Sequence, residues 1–123
     1  SIRRFTSTEG FEILCGKSGA GNDQLVTRYA SGEDIWFHVK GAPGSHALIK
    51  VAGKAQALTE VTIAEAAAIA AFYSKSRGSS KVEVIYAEAK NVKKPRGAKP
   101  GMVTVKEFKS VIVRPGLPEE VRD

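Results

Sequence analysis

The sequence predicts an α+β domain with a mixed, largely antiparallel sheet, on which a long alanine-rich helix and a shorter helix pack. Apolar and polar residues alternate over several short segments, which is typical of strands. One segment, 62–76, is dominated by alanine, the strongest helix former. The resulting order, ββαββαβββ, does not alternate strictly between strand and helix, which favours α+β over α/β. The chain of 123 residues fits a single domain over 1–115, followed by a frayed tail over 116–123.

The first part of the chain predicts a hairpin followed by a helix. The expected elements are strands over 3–7 and 11–15, a flexible glycine-rich loop over 16–21, and a short helix over 23–30 that Asn22 caps. Cys15, on the second strand, is expected to be a small buried residue rather than a reactive thiol.

A second hairpin is predicted from strands over 34–40 and 45–51, joined by a turn that contains Pro43 and Gly44. Pairing Phe37 with Ala47 and Ile35 with Ile49 places the apolar alternates on one face. The other face then carries Asp34, Trp36, His38, Lys40, His46, Leu48 and Lys50, with His38 opposite His46. Because adjacent imidazolium ions repel, at least one of these histidines should have a lowered pKa.

The remaining elements are one helix and three strands. Thr62 and Glu65 predict a capping box at the start of the helix over 62–76, with Val61 packed on Ala66. Gly78 is expected to end this region, after Lys75 and Arg77 at the helix C-terminus. The strands that follow are predicted over 81–88, 102–108 and 110–114.

Positive charge is concentrated near the C-terminal end. Residues 81–114 carry nine basic and three acidic side chains, so this stretch alone has a net charge of +6. Within it, residues 90–101 form what we call the basic loop, with no acidic residue and the five cations Lys90, Lys93, Lys94, Arg96 and Lys99. Prolines would stiffen the loop, and Gly97 and Gly101 would let its backbone approach a ligand. The loop is either a phosphate-binding element or a solvated connector.

The predicted Trp/His face also has more than one interpretation. Trp36, His38 and His46 combine stacking groups and hydrogen-bonding groups, as single-stranded nucleic-acid sites do, but Trp36 could equally belong to the core.

Asp34 with the two histidines could form a metal site, although no established metal motif is present. Ser45 and His46 are neighbours on a strand, so their side chains should point to opposite faces, which argues against a catalytic dyad.

Several classes of protein are disfavoured. One cysteine cannot form an internal disulfide, which excludes a disulfide-stapled scaffold. No apolar run is long enough to span a bilayer, and no secretory leader pattern is present, so we expect a cytoplasmic protein that does not act in membranes. No cofactor is expected.

Four segments together resemble the NFACT-R domain: GAGNDQLV, DIWFHVKGAPGSHALIK, TIAEAAAIAAFYSKS and NVKKPRGAKPGMV, in this order over about residues 10–115. This family is an RNA-binding module of ribosome-associated quality-control factors, some of which are labelled fibronectin-binding proteins. Those factors bind the large ribosomal subunit and recruit tRNA. The resemblance marks as signature positions Asn22, Asp34, Trp36, His38, Gly44, Ser45, His46 and the 93–101 segment.

Together these observations predict an RNA-binding module that acts on tRNA or large-subunit rRNA, without DNA specificity and without catalytic residues. The expected RNA-binding residues are Asn22, Trp36, His38, Lys40, Ser45, His46, Lys90, Lys93, Lys94, Arg96 and Lys99. Residues expected to shape the fold are Asp34, Pro43, Gly44, Gly97 and Gly101. The alternatives are a His-dependent RNA-processing enzyme or phosphoesterase, and an adhesin-like protein-interaction module.

Overall fold

The computed structural model describes residues 1–118 and contains one six-stranded sheet in which every neighbouring pair is antiparallel. The strands of this sheet are β1 (Ile2–Thr6), β2 (Glu12–Gly16), β3 (Ile35–Val39), β4 (Ala47–Lys50), β5 (Val82–Glu88) and β8 (Lys109–Val113). Their spatial order is β1-β2-β4-β3-β5-β8. Two short strands, β6 (Val92–Lys93) and β7 (Thr104–Val105), form a separate antiparallel ribbon. The predicted α+β class is confirmed.

The predicted register of the central hairpin is confirmed. Phe37 lies opposite Ala47, and Ile35 lies opposite Ile49. Because the sheet is covered on both faces, it has two apolar clusters. One contains Phe37, Val39 and Ile49 and is closed by α2 (Glu60–Phe72) through a row of small residues: Ala66, Ala67, Ala70 and Ala71.

The second cluster lies on the opposite face and includes Trp36 and Leu48. It is covered by the π-helical turn Leu25–Tyr29, which continues α1 (Gly19–Gln24), and by the β6–β7 ribbon. The interpretation of Trp36 as part of the core is therefore confirmed. Cys15 is also fully buried, and burial raises the pKa of its thiol to about 11.

The start of α1 differs from the prediction. Ser18, not Asn22, is the N-cap, and its hydroxyl accepts the N–H of Gly21 at 3.0 Å. The flexible loop predicted over 16–21 is wrong because its second half already forms the first turn of the helix. Asn22 lies within α1 and is buried.

The predicted start of α2 is also wrong. Thr59 is the N-cap and accepts the N–H of Val61, whose side chain is 51% exposed and does not form the predicted staple. Thr62 is buried and hydrogen-bonds Glu9, while the Glu65 carboxylate accepts the N–H and O–H of Thr8. Thr62 and Glu65 therefore hydrogen-bond the turn after β1 instead of forming a capping box. The helix ends at Phe72, earlier than predicted.

Two further differences concern the connections. A type II turn with Pro43 and Gly44 at its centre requires a positive φ at Gly44. In the β3–β4 connection the residue with positive φ is instead Gly41 (φ +73°), so the predicted turn is wrong. The strand predicted over 102–108 is limited to Thr104–Val105. Of the predicted frayed tail, residues 119–123 lie outside the described part of the chain, and the N–H of Gly116 donates to the carbonyl of Ala68 on α2 at 3.2 Å. No helix within residues 1–118 is long and apolar enough to cross a membrane.

Candidate nucleic-acid interface

His46 links the core of the sheet to the end of the basic loop. The indole N–H of Trp36 donates to Nδ1 of His46 at 3.0 Å. An indole nitrogen can only donate, so Nδ1 must be the unprotonated nitrogen of the ring. Nε2 therefore carries the proton and donates to the carbonyl oxygen of Gly101 at 2.9 Å. We call this Trp36–His46–Gly101 chain the latch.

The latch holds His46 in its neutral form. Burial, followed by the neighbouring His38 ring, lowers the pKa of His46 to about 4, although the Gly101 carbonyl opposes this. Burial also lowers the pKa of His38 despite nearby carbonyls of Val39 and Gly44. The predicted side-by-side arrangement is confirmed, since the two ring centroids lie 5.4 Å apart. A lowered histidine pKa was predicted, but burial contributes more to it than repulsion between the rings.

Two neighbouring residues of α1 complete the attachment of the loop. The side-chain oxygen of Asn22 accepts the backbone N–H of His46 at 3.0 Å. The Asp23 carboxylate accepts the N–H of Gly101 at 2.7 Å and pairs with Lys94 at 3.0 Å. Burial opposes ionisation of Asp23, but these partners hold its pKa below the usual value. Gly101 has φ +85°, a conformation that favours glycine. In this conformation its N–H donates to Asp23 while its carbonyl accepts from His46.

The five cations of the basic loop do not have equal roles. The ammonium group of Lys94 is bound by Asp23 and by the carbonyl of Lys99, and only 17% of its side chain is exposed. Lys90 lies beside Gly32, at the opposite end of β3 from His38, and pairs with Glu88 at 3.8 Å. The three remaining cations, Lys93, Arg96 and Lys99, are exposed and form no ion pair with any acidic side chain of residues 1–118.

A cleft of about 480 Å³ lies between the hairpin and the end of the basic loop. We call it the histidine cleft. Its floor includes His38 and His46, and its far wall is formed by Pro100, Gly101 and Met102. The side chain of Met102 is 59% exposed, which leaves an apolar surface at the rim. The cleft is therefore partly apolar, and its far wall begins at the residue that follows Lys99 in the chain.

The residues predicted to stack on bases are not equally accessible. Trp36 and His46 are each only 2% exposed, so neither presents an open ring face, and their predicted direct stacking is incompatible with this conformation. His38 is half-buried, lines the cleft and lies parallel to Trp36 with ring centroids 6.2 Å apart. Lys40 is exposed beyond the end of β3 and pairs with Glu83. Ser45 faces a different cleft, on the other side of Pro43 and Gly44.

Asp34 lies far from the histidines. Its carboxylate accepts the N–H groups of Ser31 at 2.8 Å and Val51 at 2.9 Å and pairs with Lys50. Asp34 therefore joins the start of β3 to the end of β4. His38 is four positions further along the chain, which corresponds to about 13 Å along a strand. In the part of the chain that the structure describes, no three potential metal ligands come together.

Two contributors to the site were not found from the sequence. Asp23 holds both Lys94 and Gly101, but the sequence pattern predicts it only as the first residue of a helix. An acidic residue next to Asn22, in a chain with a long cationic segment, was the available signal. The sequence pattern predicts Met102 as part of a strand, and nothing in its alternation indicates that Met102 lines a cleft.

The chain is similar to several known proteins. The family model described as "NFACT protein RNA binding domain" matches residues 1–107. The "Rqc2 homolog RqcH" of Bacillus subtilis is 46% identical over 93% of this chain, and that of Streptococcus suis is 41% identical over 91%. The chain spans about a fifth of the length of these relatives (19% and 20%). The C-terminal structure of the fibronectin/fibrinogen-binding protein from Streptococcus suis superimposes with a TM-score of 0.87 at 38% identity, covering 94% of this chain and 46% of that one.

Proposed function

Because the chain belongs to the NFACT-R family of RNA-binding domains, we propose that it binds structured RNA of the translation apparatus, tRNA or large-subunit rRNA, in ribosome-associated quality control. The observation that carries the proposal is the latch. Hydrogen bonds from the hairpin and from α1 fix the end of the basic loop. The exposed cations of that loop, Lys93, Arg96 and Lys99, form no ion pair with an acidic side chain of residues 1–118. A site that is fixed before binding loses less entropy when it binds.

Phosphate contacts come from Lys93, Arg96 and Lys99 in this mechanism. Each is exposed, and each can release a condensed counterion when it neutralises a phosphate. Lys94 instead neutralises Asp23 and holds the loop in shape. Lys40 and Lys90 already have acidic neighbours, so we assign them at most a peripheral part.

The histidine cleft would take an unstacked base or a ribose beside these phosphates. His38 offers a polar ring edge on its floor, and Met102 offers an apolar surface at its rim. Trp36 and His46 support the cleft from below rather than stacking on the RNA. Asn22 acts in the same indirect way, through the backbone of His46.

A salt titration with a charge-matched control tests the proposal. We expect the affinity of the parent for a tRNA to fall with salt, with a log–log slope of about −2 to −4 if three to five phosphates are neutralised. The variant Lys93→Gln, Arg96→Gln, Lys99→Gln should bind about tenfold to hundredfold more weakly at moderate salt and show a slope flatter by about two units.

The control variant removes the same charge elsewhere, through Arg28→Gln, Lys54→Gln and Lys109→Gln, at exposed positions outside the basic loop. Like the loop variant, it replaces two lysines and one arginine, so both variants have the same net charge. Equal losses in both variants would show that the loop acts only through overall charge. Salt-independent binding by the parent would refute the electrostatic mechanism.

The enzyme alternative is less well supported. Both ring nitrogens of His46 are engaged, by Trp36 and by Gly101, so His46 has no free nitrogen to act as a general base. The protein-binding alternative draws on the name of the streptococcal neighbour. Binding of fibronectin that is unaffected by salt and by the loop variant would favour it.

A further inference from the structure

A second cluster of cations lies outside the predicted site. It surrounds a cleft of about 390 Å³, within the size range of small-ligand pockets, and we call it the cationic cleft. The four basic residues that line it are Arg3, Lys17, Lys75 and Arg77, and none of its lining residues is acidic. None of the four forms an ion pair with an acidic side chain within residues 1–118.

Stabilisation of the helix end does not explain this cluster. Lys75 and Arg77 follow the C-terminus of α2, where cations ordinarily offset the partial negative charge of a helix. Arg3 and Lys17 come from β1 and from the residue after β2, so they reach the same cleft from another part of the chain. A helix end carries about −0.5 of a charge, which is much less than the four positive charges around it.

Aromatic rings hold both guanidinium groups in place. Arg3 lies over the ring of Tyr73 at 4.0 Å from its centroid, and Arg77 lies over the ring of Phe72 at 3.7 Å. Stacking leaves the N–H groups at the edges of a guanidinium free to donate. Because planar, bidentate contact is the geometry in which arginine binds phosphate best, these two residues are prepared for such a ligand.

The backbone between the two clefts is rigid. The N–H of Ser45 donates to the carbonyl of Tyr73, and the N–H of Lys75 donates to the carbonyl of Pro43, each at 3.0 Å. A Cβ on Gly44 would lie 2.8 Å from the Cβ of Ser74, so only glycine allows this close approach. Pro43 and Gly44 line both the cationic cleft and the histidine cleft, and therefore form a shared wall.

We propose that the cationic cleft binds a backbone phosphate of the same RNA whose neighbouring nucleotides contact the histidine cleft and the basic loop. The inference rests on the proposed function, since it takes RNA as the ligand. An RNA strand that crosses the Pro43–Gly44 wall passes from the four cations of the cationic cleft into the histidine cleft, whose far wall is the end of the basic loop. Its phosphates recur at every nucleotide. An acidic protein segment would satisfy the cleft's charge but has no comparable reason to continue into the histidine cleft.

The test compares two charge-matched variants for tRNA binding across a range of salt. Lys17→Gln, Lys75→Gln, Arg77→Gln empties the cleft of three cations, and Arg28→Gln, Lys54→Gln, Lys109→Gln is the control. We expect the cleft variant to lose about tenfold in affinity and to flatten the salt slope by about one unit, beyond any change in the control. Because Arg77 packs on Phe72, the double variant Lys17→Gln, Lys75→Gln provides a milder second measurement.

Three outcomes overturn the inference. A parent that binds tRNA with the expected salt dependence, together with cleft variants equal to the control, would refute the cationic cleft while leaving the proposed function intact. A parent that binds neither tRNA nor a large-subunit rRNA fragment would refute both. Binding of poly-glutamate that is lost in the cleft variants, with tRNA binding unchanged, would assign the cleft to an acidic protein partner.

Discussion

His46 connects the stability of the fold to pH. Its pKa falls from an ordinary value of 6.5 to about 4 in the fold, because the buried ring is held neutral and Nδ1 accepts from Trp36. Protonation of Nδ1 would place its N–H against the indole N–H of Trp36, so that two donors would face each other. A group whose folded pKa is depressed in this way binds more protons when unfolded, so it stabilises the fold above pH 6.5 and loses that contribution as pH falls.

We therefore predict that the free energy of unfolding decreases between pH 6.5 and about pH 4, by up to about 3 kcal/mol at about 1.4 kcal/mol per pKa unit. Urea denaturation at several pH values measures it. His46→Gln should remove most of the dependence of the unfolding free energy on pH, whereas His38→Gln should remove a smaller part of it. The lowered pKa of Asp23 acts below this window, and the lowered pKa of Glu9 acts only from about pH 4.5 downward, at the lower end of the window. A parent stability that does not change from pH 7 to pH 5 would contradict the role of the latch.

Lys93 and Lys94 are adjacent in sequence but should behave differently when replaced. Lys93→Gln should weaken RNA binding by about threefold to tenfold and leave the melting temperature unchanged, because this side chain is exposed. Lys94→Gln should lower both, since it leaves Asp23 without its ammonium partner and frees the Lys99 carbonyl. Thermal denaturation and a binding titration separate the two effects. Identical stability losses in both variants would show that Lys94 does not hold the loop.

Residue roles were only partly predictable from the sequence. The alternation of the hairpin placed His38 beside His46 correctly, because a buried face permits only one register. The same pattern could not show that Trp36 and His46 face a second core, since that depends on the π-helical turn after α1 and the β6–β7 ribbon covering the sheet. The difference between Lys93 and Lys94 depends on Asp23, which is remote in sequence.

At the level of elements, the contact between the β3–β4 connection and the end of α2 positions both clefts. Gly44→Ala would force a Cβ to within 2.8 Å of Ser74, so we predict a loss of about 1–3 kcal/mol in unfolding free energy. Gly78→Ala is the control, because nothing lies within 4 Å of its added Cβ, and it should change stability by less than about 1 kcal/mol. Urea denaturation measures both. Equal stability of the two variants would contradict a tight contact at Gly44.

Helix starts were the least predictable elements. Thr62–Glu65 fits a capping box, yet Thr59 provides the cap, and the turn after β1 competes for the side chains of Thr62 and Glu65. Ser18 replaces Asn22 as the cap of α1 because Asn22 is needed to accept the N–H of His46. In both cases a tertiary contact, which a local pattern does not contain, decides which residue begins the helix.

For the whole molecule, the fold class followed from periodicity alone, but the distribution of positive charge over the surface did not. Residues 81–114 show their excess directly in the sequence. The cationic cleft draws on β1, on the residue after β2 and on the end of α2, so only the folded chain brings its charges together. We therefore propose one RNA-binding surface, in which the histidine cleft lies between the cationic cleft and the basic loop.

Crosslinking the chain to RNA in cells tests this account most directly, when both the crosslinked RNA and the crosslinked peptides are sequenced. We predict RNA from tRNA or large-subunit rRNA, and peptides that cover Lys93–Met102 with the region around Pro43 and Gly44. Loss of these crosslinks in the Lys93→Gln, Arg96→Gln, Lys99→Gln variant, but not in the Arg28→Gln, Lys54→Gln, Lys109→Gln control, would support the mechanism. Crosslinks spread over messenger RNA, or confined to the α2 face of the sheet, would contradict it.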